Sequence, residues 1–253
     1  MNGVPIQTYL LPLVMLVVVA FMYARGMKAR ATMLQDNPQY GLGVLSQRWQ
    51  LQMLEGDPSY NLFINSRDAE VASHAPPIAG MSADTPAHTA RMEGVHRDHP
   101  VRFEFYDQTH IERGIIEITY TRHYRCALTV GVRAAFPPFE ITLRTENQYL
   151  VTERKTPLPE STFGQGLLDQ ALKLYAADPR VGPTLAPTLG ALCAMTYVHV
   201  VGGDGAVRFE MSPLGPSYGV YYAETVLQVL LAVADVLEGR QPVIPAPPPP
   251  PMS

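Results

Sequence analysis

The chain has 253 residues, of which 47% are hydrophobic, and its formal net charge is -4 at pH 7. At roughly 100 to 200 residues per domain, this length allows one or two small folded cores. The acidic balance argues against the clustered Lys and Arg that nucleic-acid binding requires, so we expect no nucleic-acid partner. Cys126 and Cys193 each lie in an apolar stretch. Two small buried thiols are therefore favoured over a disulfide bridge or a metal-binding pair.

The N-terminal region predicts a membrane anchor. After a tail at residues 1–5, an uncharged apolar stretch begins at Ile6 and ends at Ala24. Its length matches the ~20 residues that a helix needs to cross the ~30 Å hydrocarbon core of a bilayer. Basic residues follow it directly but none precedes it, which by the positive-inside rule places the C-terminal bulk in the cytoplasm. We expect a single-pass protein of the cell membrane that contacts the lipid bilayer through residues 6–24.

Two alternatives to this topology stay open. A cleaved signal peptide is the first, although no basic residue precedes the apolar stretch and no small-x-small cleavage site follows it. The second is a periplasmic domain, in which the same fold faces the other side of the membrane. Arg25, Lys28 and Arg30 discriminate between the two orientations, because they carry the charge asymmetry.

Residues 25–64 form a juxtamembrane segment with one predicted amphipathic helix. Within residues 41–55, apolar side chains recur at spacings of three and four, at Leu42, Leu45, Trp49 and Met53. Trp49, the single tryptophan, lies in this stripe and is expected in the core. Residues 65–88 lack an apolar period and contain several prolines and glycines, which predicts a long irregular loop.

Residues 89–155 are predicted to form an antiparallel β meander of about four strands. VRFEFYD alternates apolar and polar residues, and the preceding HTARMEGVHRDH supplies a hairpin partner. A third alternating run starts at Ile116 and places Cys126, Leu128 and Val130 on one face. ITLRT begins the fourth strand. Such a meander covers one face with apolar side chains and leaves the other wet.

Residues 156–239 are predicted to form an α/β subdomain with the order helix, β-hairpin, helix. LLDQALKLYA and TLAPTLGALCAM predict helices, and the glycine-rich residues 202–205 predict the turn of a hairpin. A helix at 221–238 closes the unit. The proline-rich tail at 240–253 is expected to be extended, either as a spacer or as a ligand for an aromatic groove. The predicted fold class is thus α+β behind a transmembrane helix.

Candidate catalytic groups are sparse. His96, His99 and His110 are the tightest histidine group, but His96 and His99 flank a predicted hairpin turn, where side chains point into water. His199 alternates with two valines and is expected at the surface or in a cross-strand contact. Four acidic residues could form a carboxylate pair across the hairpin, namely Glu104, Asp107, Glu112 and Glu117. Charges that alternate along a solvent-exposed face explain them more simply. No catalytic, cofactor-binding or metal-binding residue is assigned.

The apolar N-terminus, the hairpin MEGVHRDHPVRFEFYD and the final helix ETVLQVLLAVADVLEG together carry a resemblance. The chain resembles an uncharacterised group of bacterial membrane-anchored proteins with a G-x-x-R-G-R-P-V-like turn. Gly94, Arg97, Pro100 and Val101 match that turn, whereas Asp98 and His99 stand where glycine and arginine are expected. The resemblance covers most of residues 1–240 and implies an architecture, but it carries no activity and no functional residues.

The expected function is therefore a membrane-tethered, non-enzymatic binding or scaffold domain with an unknown protein partner. Its contact surface would be the sheet face, the long loop or the proline tail. The alternative is a metal-dependent or carboxylate hydrolase that uses the region of His96, His99 and His110. Stoichiometric zinc that is lost in His99→Ala would favour the hydrolase.

Overall fold

A computed structural model of the protein describes residues 41–61, 83–84, 87–113, 118–144, 156–195, 197–211 and 216–245. The chain divides into two units, Met1–Gln39 and Tyr40–Ser253. The predicted membrane span at 6–24 belongs to the first unit and lies outside the described residues. Most of the predicted loop at 65–88 and of the proline-rich tail also lies outside them.

The second unit is α+β, with a large antiparallel sheet and a few helices, as the sequence predicts at this level. The strands are β1 (Leu51–Glu55), β2 (Ala83–Asp84), β3 (His88–His96), β4 (His99–Arg113), β5 (Ile118–Gly131), β6 (Phe139–Leu143), β7 (Glu160–Ser161), β8 (Leu172–Ala176), β9 (His199–Gly203) and β10 (Ala206–Met211). The helices are α1 (Leu42–Trp49), α2 (Gly166–Ala171), α3 (Val181–Leu185) and α4 (Pro216–Leu237).

All the strands in the described residues belong to one sheet, in the order β1-β3-β4-β5-β10-β9-β6-β8-β7, with β2 paired to the far end of β4. Every pairing in this sheet is antiparallel. The predicted hairpin of β3 and β4 and the alternating strand β5 are confirmed. β6, predicted as the fourth strand of a meander, does not lie beside β5, because the β9–β10 hairpin is inserted between them.

One face of the sheet is apolar and packs against helices. Phe103 and Phe105 of β4 and Leu128 and Val130 of β5 are buried on this face. α4 contacts β5 and β10 there, and α3 contacts α4. This arrangement explains why α4 is rich in apolar residues on most of its surface, with Val226 to Ala234 almost entirely buried.

The predicted helix at 41–55 is shorter than expected. α1 ends at Trp49, Gln50 takes a left-handed conformation with φ of 56°, and the chain continues as β1. β1 pairs with β3 from Leu51 to Glu55. Hydrogen bonding to an available strand edge therefore overrides the helical spacing of Met53. The prediction that Trp49 is a core residue is confirmed, since its side chain is 1% exposed.

The helix predicted for LLDQALKLYA is wrong in its second half. α2 ends at Ala171, and residues 172–176 form β8 with Leu172, Leu174 and Ala176 buried in alternation. The helix predicted for TLAPTLGALCAM is also wrong. That segment contains the end of α3 and two 3₁₀ turns, Ala186–Thr188 and Gly190–Ala194, because Pro187 and Gly190 interrupt a longer helix.

Two tight hairpin turns are confirmed. In the β9–β10 turn, Asp204 and Gly205 have φ of 50° and 74°. In the β3–β4 turn, Arg97 and Asp98 have φ of 49° and 65°. Positive φ at both central residues is the type I′ geometry that fits the twist of a hairpin, and glycine normally occupies it. The β3–β4 turn therefore holds two non-glycine residues in a disfavoured conformation.

Candidate functional site

The three histidines of the predicted metal region do not converge. His96 and His99 face each other across the β3–β4 turn, whereas His110 lies eleven positions further along β4. At about 3.3 Å per residue, that is roughly 35 Å from His99. One metal ion cannot bind all three. Within the described residues, no group of three or more His, Cys, Asp or Glu side chains could hold a metal ion.

His99 does not point into water, as the sequence predicted. It is 1% exposed, and its Nε2 lies 3.0 Å from Oδ1 of Asp235 in α4. Its Nδ1 lies 3.1 Å from the carbonyl oxygen of Gly131, the last residue of β5. Both ring nitrogens thus face oxygen acceptors. Both hydrogen bonds form together only when each nitrogen carries a proton.

Further charges surround this pair, and together they define the His99 cluster: His99, Asp235, Glu238, Arg240 and Arg133. Glu238 Oε1 lies 3.8 Å from Nδ1 of His99 and accepts a hydrogen bond from the backbone N–H of Arg133 at 2.7 Å. The Arg240 guanidinium donates to Glu238 and lies 3.8 Å from Asp235. The cluster fastens the C-terminal end of α4 to the ends of β4 and β5.

The electrostatics of Glu238 follow from these contacts. The N–H of Arg133 lowers the pKa of the Glu238 carboxyl below its ordinary value of 4.5, and the charges of His99 and Arg240 act in the same direction. A lowered pKa means that the folded protein favours the carboxylate. The resulting stability is present above the ordinary pKa of a glutamate and is lost as the pH falls below it.

The strained β3–β4 turn is held from the same side. Arg97 donates to the side-chain oxygen of Gln228 in α4 at 2.7 Å, and Arg133 donates to the carbonyl of Asp98 at 3.0 Å. The disfavoured conformation here is therefore maintained by contacts of the turn with α4 and with the residue after β5.

The other face of the sheet carries a network of charged side chains across its middle strands, which we call the polar face. It is defined by Arg102, Glu104, Thr129, Glu140, His199, Val201, Arg208 and Glu210. Nε2 of His199 lies 3.0 Å from Glu140 Oε1, and its Nδ1 lies 3.7 Å from Glu210. His199 is buried, so the predicted cross-strand contact is confirmed and the surface position is wrong.

Hydrogen bonding on the polar face is incomplete. Arg208 lies between Glu210, at 3.2 Å, and Glu104, at 3.9 Å. These are ion-pair distances, but among the described residues neither buried Nε nor buried Nη2 of Arg208 has a hydrogen-bond partner of good geometry. Thr142, opposite His199 in register, likewise has a buried hydroxyl without a hydrogen bond to a described residue. A buried hydroxyl without a hydrogen bond costs about 1–3 kcal/mol.

A groove of about 540 Å³ opens on this face, between β1 and β5. Leu54 and Val95 line it and are 50% and 61% exposed, although the core buries most other residues of their kind. Glu93 and Arg102 lie beside them and pair at 2.8 Å. The remaining lining residues are Gln52, Gly94, Pro100, Val101, Thr129 and Gly131. The floor of the groove thus includes Gly131, whose carbonyl faces His99.

The predicted carboxylates and cysteines fall in different environments. Glu104 belongs to the polar face, whereas Asp107, three positions along β4, is buried. The side chain of Glu112 and the whole of Glu117 lie outside the described residues. Cys126 is buried as predicted, but Cys193 is exposed, which corrects the expectation of two buried thiols.

The Asp235 contact was not predicted, although the sequence contains a signal for it. Asp235 interrupts the apolar run LLAVADVL of α4, and a carboxylate on a buried helix face requires a partner. Sequence alone does not identify that partner, because His99 is 136 positions away.

Comparisons with protein-family models, curated proteins and solved structures found no match to this chain. In the described part of the chain, no helix is both long and apolar enough to cross a membrane.

Proposed function

We propose that this chain is a non-enzymatic binding module whose groove on the polar face holds an extended segment of a partner protein. The observation that carries the proposal is the exposure of Leu54 and Val95, which both line the groove. Apolar side chains grouped in a concave surface and surrounded by polar ones are typical of a binding site. The volume of about 540 Å³ falls within the usual range for ligand pockets.

The charges around the groove define the chemistry of the partner. Glu93 accepts from Arg91 at 2.6 Å and from Arg102 at 2.8 Å, so charges of both signs border the apolar centre. An apolar centre with a polar rim is the usual composition of a protein–protein interface. A segment with one or two apolar side chains and flanking charges of both signs fits this surface better than a strongly charged polymer does.

The contacts of the two histidines favour binding over catalysis. His99 is almost fully enclosed and faces Asp235, so its ring cannot meet a substrate from solvent. His199 lies between two carboxylates and is also buried. A general base must reach the proton that it abstracts. The hydrolase alternative built on His96, His99 and His110 lacks support, because these residues do not come together.

The peptide-binding proposal predicts a specific footprint. A displayed library of random peptides is panned against the full chain, and the selected peptides are added to isotope-labelled protein. We expect the largest amide shift changes at the groove, at Gly94, Val95 and Arg102. Val95→Asp should weaken binding about tenfold or more, because a charge would replace an apolar contact at the centre of the interface.

Leu167→Asp is the matched control, since Leu167 is 82% exposed and lies in α2 outside the groove. It should leave the affinity unchanged. Peptides that shift the amides around Leu167 instead, or that bind Val95→Asp as well as the natural protein, would contradict the proposal.

We further propose that residues 6–24 tether this module to the cell membrane with the described unit in the cytoplasm. The uncharged stretch and the basic residues after it support this topology. Reporters fused after Ser253 that are active on only one side of the membrane test it. A cytoplasmic signal is expected, whereas a signal from outside would reverse the orientation.

A further inference from the structure

The groove and α4 meet at a single residue. Pro100 and Gly131 line the groove, and His99 precedes Pro100 and faces the carbonyl of Gly131 through its Nδ1. The other ring nitrogen faces Asp235 in α4. The His99 ring therefore links the floor of the groove to the end of the helix, and the link needs both hydrogen bonds.

The number of donors on the ring sets how many of these bonds exist. A ring with two protons donates to Gly131 and to Asp235 together, whereas a neutral ring donates to one and leaves the other acceptor unpaired. Solvent is largely excluded from the ring, which is 1% exposed, and from Asp235, which is 7% exposed, whereas Gly131 lines the open groove. Loss of the proton thus releases either the groove floor or the helix.

We propose that His99 is a proton-linked latch that couples the C-terminal end of α4 to the floor of the groove. The proposal rests on the proposed function only for its effect on a bound peptide. The latch is closed when His99 is doubly protonated and opens as the pH rises past the point at which the ring loses a proton.

Charged groups from each neighbouring element surround the ring. Asp235 and Glu238 face it from the α4 end, Arg240 pairs with both carboxylates, and the backbone N–H of Arg133 donates to Glu238. The turn contributes Arg97 and Asp98, and β3 contributes His96 opposite His99. At low pH the latch also weakens, because protonation of Glu238 below its ordinary pKa of 4.5 removes the negative charge that strengthens its hydrogen bond from the Arg133 N–H.

The test is a pH titration of the full chain by nuclear magnetic resonance without any peptide. The ring nitrogens of His99 report its protons, and the amides of Val132 and Arg240 report the groove end and the helix end. Arg240 N–H donates to the carbonyl of Asp235 at 2.7 Å, and Val132 follows Gly131 directly. We expect both amides to change with the same midpoint as the ring, and His99→Gln to abolish the change.

His96→Gln is the matched control at the same turn and should leave the midpoint unaltered. If His99→Gln does not fold, Asp235→Asn replaces it, and the amide changes should then move to lower pH, because an amide favours a charged ring less than a carboxylate does. A ring that stays singly protonated wherever the protein is folded, or amide changes that persist in His99→Gln, would overturn the latch.

Addition of a groove-binding peptide separates the two proposals. We expect its affinity to fall about two- to tenfold as the latch opens, the range that corresponds to one lost hydrogen bond. Equal affinity on both sides of the His99 midpoint would overturn the coupling to the groove. Failure of every peptide to bind at any pH would contradict the proposed function, while the peptide-free titration still decides the latch.

Discussion

Replacing Asp235 with alanine is expected to lower the free energy of unfolding by about 3–5 kcal/mol. The substitution leaves the His99 ring enclosed without its carboxylate partner, and Arg240 also loses one of its two ion-pair partners. Removal of one member of a buried hydrogen-bonded pair costs more than the pair contributes, because the polar atom that remains is desolvated and has lost its partner. Urea unfolding of the full chain, followed by fluorescence of the single buried tryptophan, measures the change.

Asp235→Asn serves as the control for this variant, because the amide oxygen still accepts a hydrogen bond from His99. It should cost clearly less than alanine. A loss below about 1 kcal/mol for Asp235→Ala would mean that His99 and Asp235 do not form a buried pair, since ordinary surface substitutions change stability by about 0.5 kcal/mol or less.

The second large effect is expected for Trp49→Ala, also at about 3–5 kcal/mol. Trp49 is 1% exposed and packs edge-on against Phe103 of β4 with ring centroids 5.7 Å apart. Its Nε1–H donates to Glu224 of α4 at 2.6 Å. One side chain thus joins α1, the sheet and α4. Urea unfolding followed by circular dichroism measures the loss, because this variant has no tryptophan fluorescence.

Two companion variants separate the contributions at this position. Trp49→Phe keeps a ring beside Phe103 but removes the donor to Glu224, so its cost should lie between those of the natural protein and of alanine. Val44→Ala changes a 40% exposed residue of the same helix and should cost about 0.5 kcal/mol or less. If Trp49→Ala cost no more than Val44→Ala, α1 would not belong to the core described above.

The sequence predicted secondary structure correctly where the pattern of buried side chains and the local backbone hydrogen bonds favour the same element. β3, β4 and β5 alternate apolar and polar residues, and neighbouring hairpins satisfy their backbone groups within a short stretch of chain. In LKLYA the alternation was also present, but the good helix formers before it favoured a helix. Pairing with β6 decides in favour of the strand, because Leu172, Leu174 and Ala176 then enter the core.

The features of the candidate site depend on contacts that are distant in sequence. His99 meets Asp235 only because the β9–β10 hairpin lies beside β5 and leads into α4. The groove forms because β1 pairs with β3. The helical spacing of apolar residues within 41–55 predicted a helix where β1 lies. The pairing of β1 with β3 brings Leu54 and Val95 to one surface, although nothing in the sequence distinguishes either of them from the apolar residues of the core.

The central claim is that the groove on the polar face contacts a partner protein, and photocrosslinking in cells tests it most directly. A photoreactive amino acid at Val95 of the full chain should yield a discrete adduct of higher mass that is absent when the same group is placed at Leu167. Arg102→Glu in the Val95-labelled chain should weaken that adduct, because it reverses a charge at the rim of the groove. Equal labelling from Val95 and Leu167, or none from Val95, would contradict the claim.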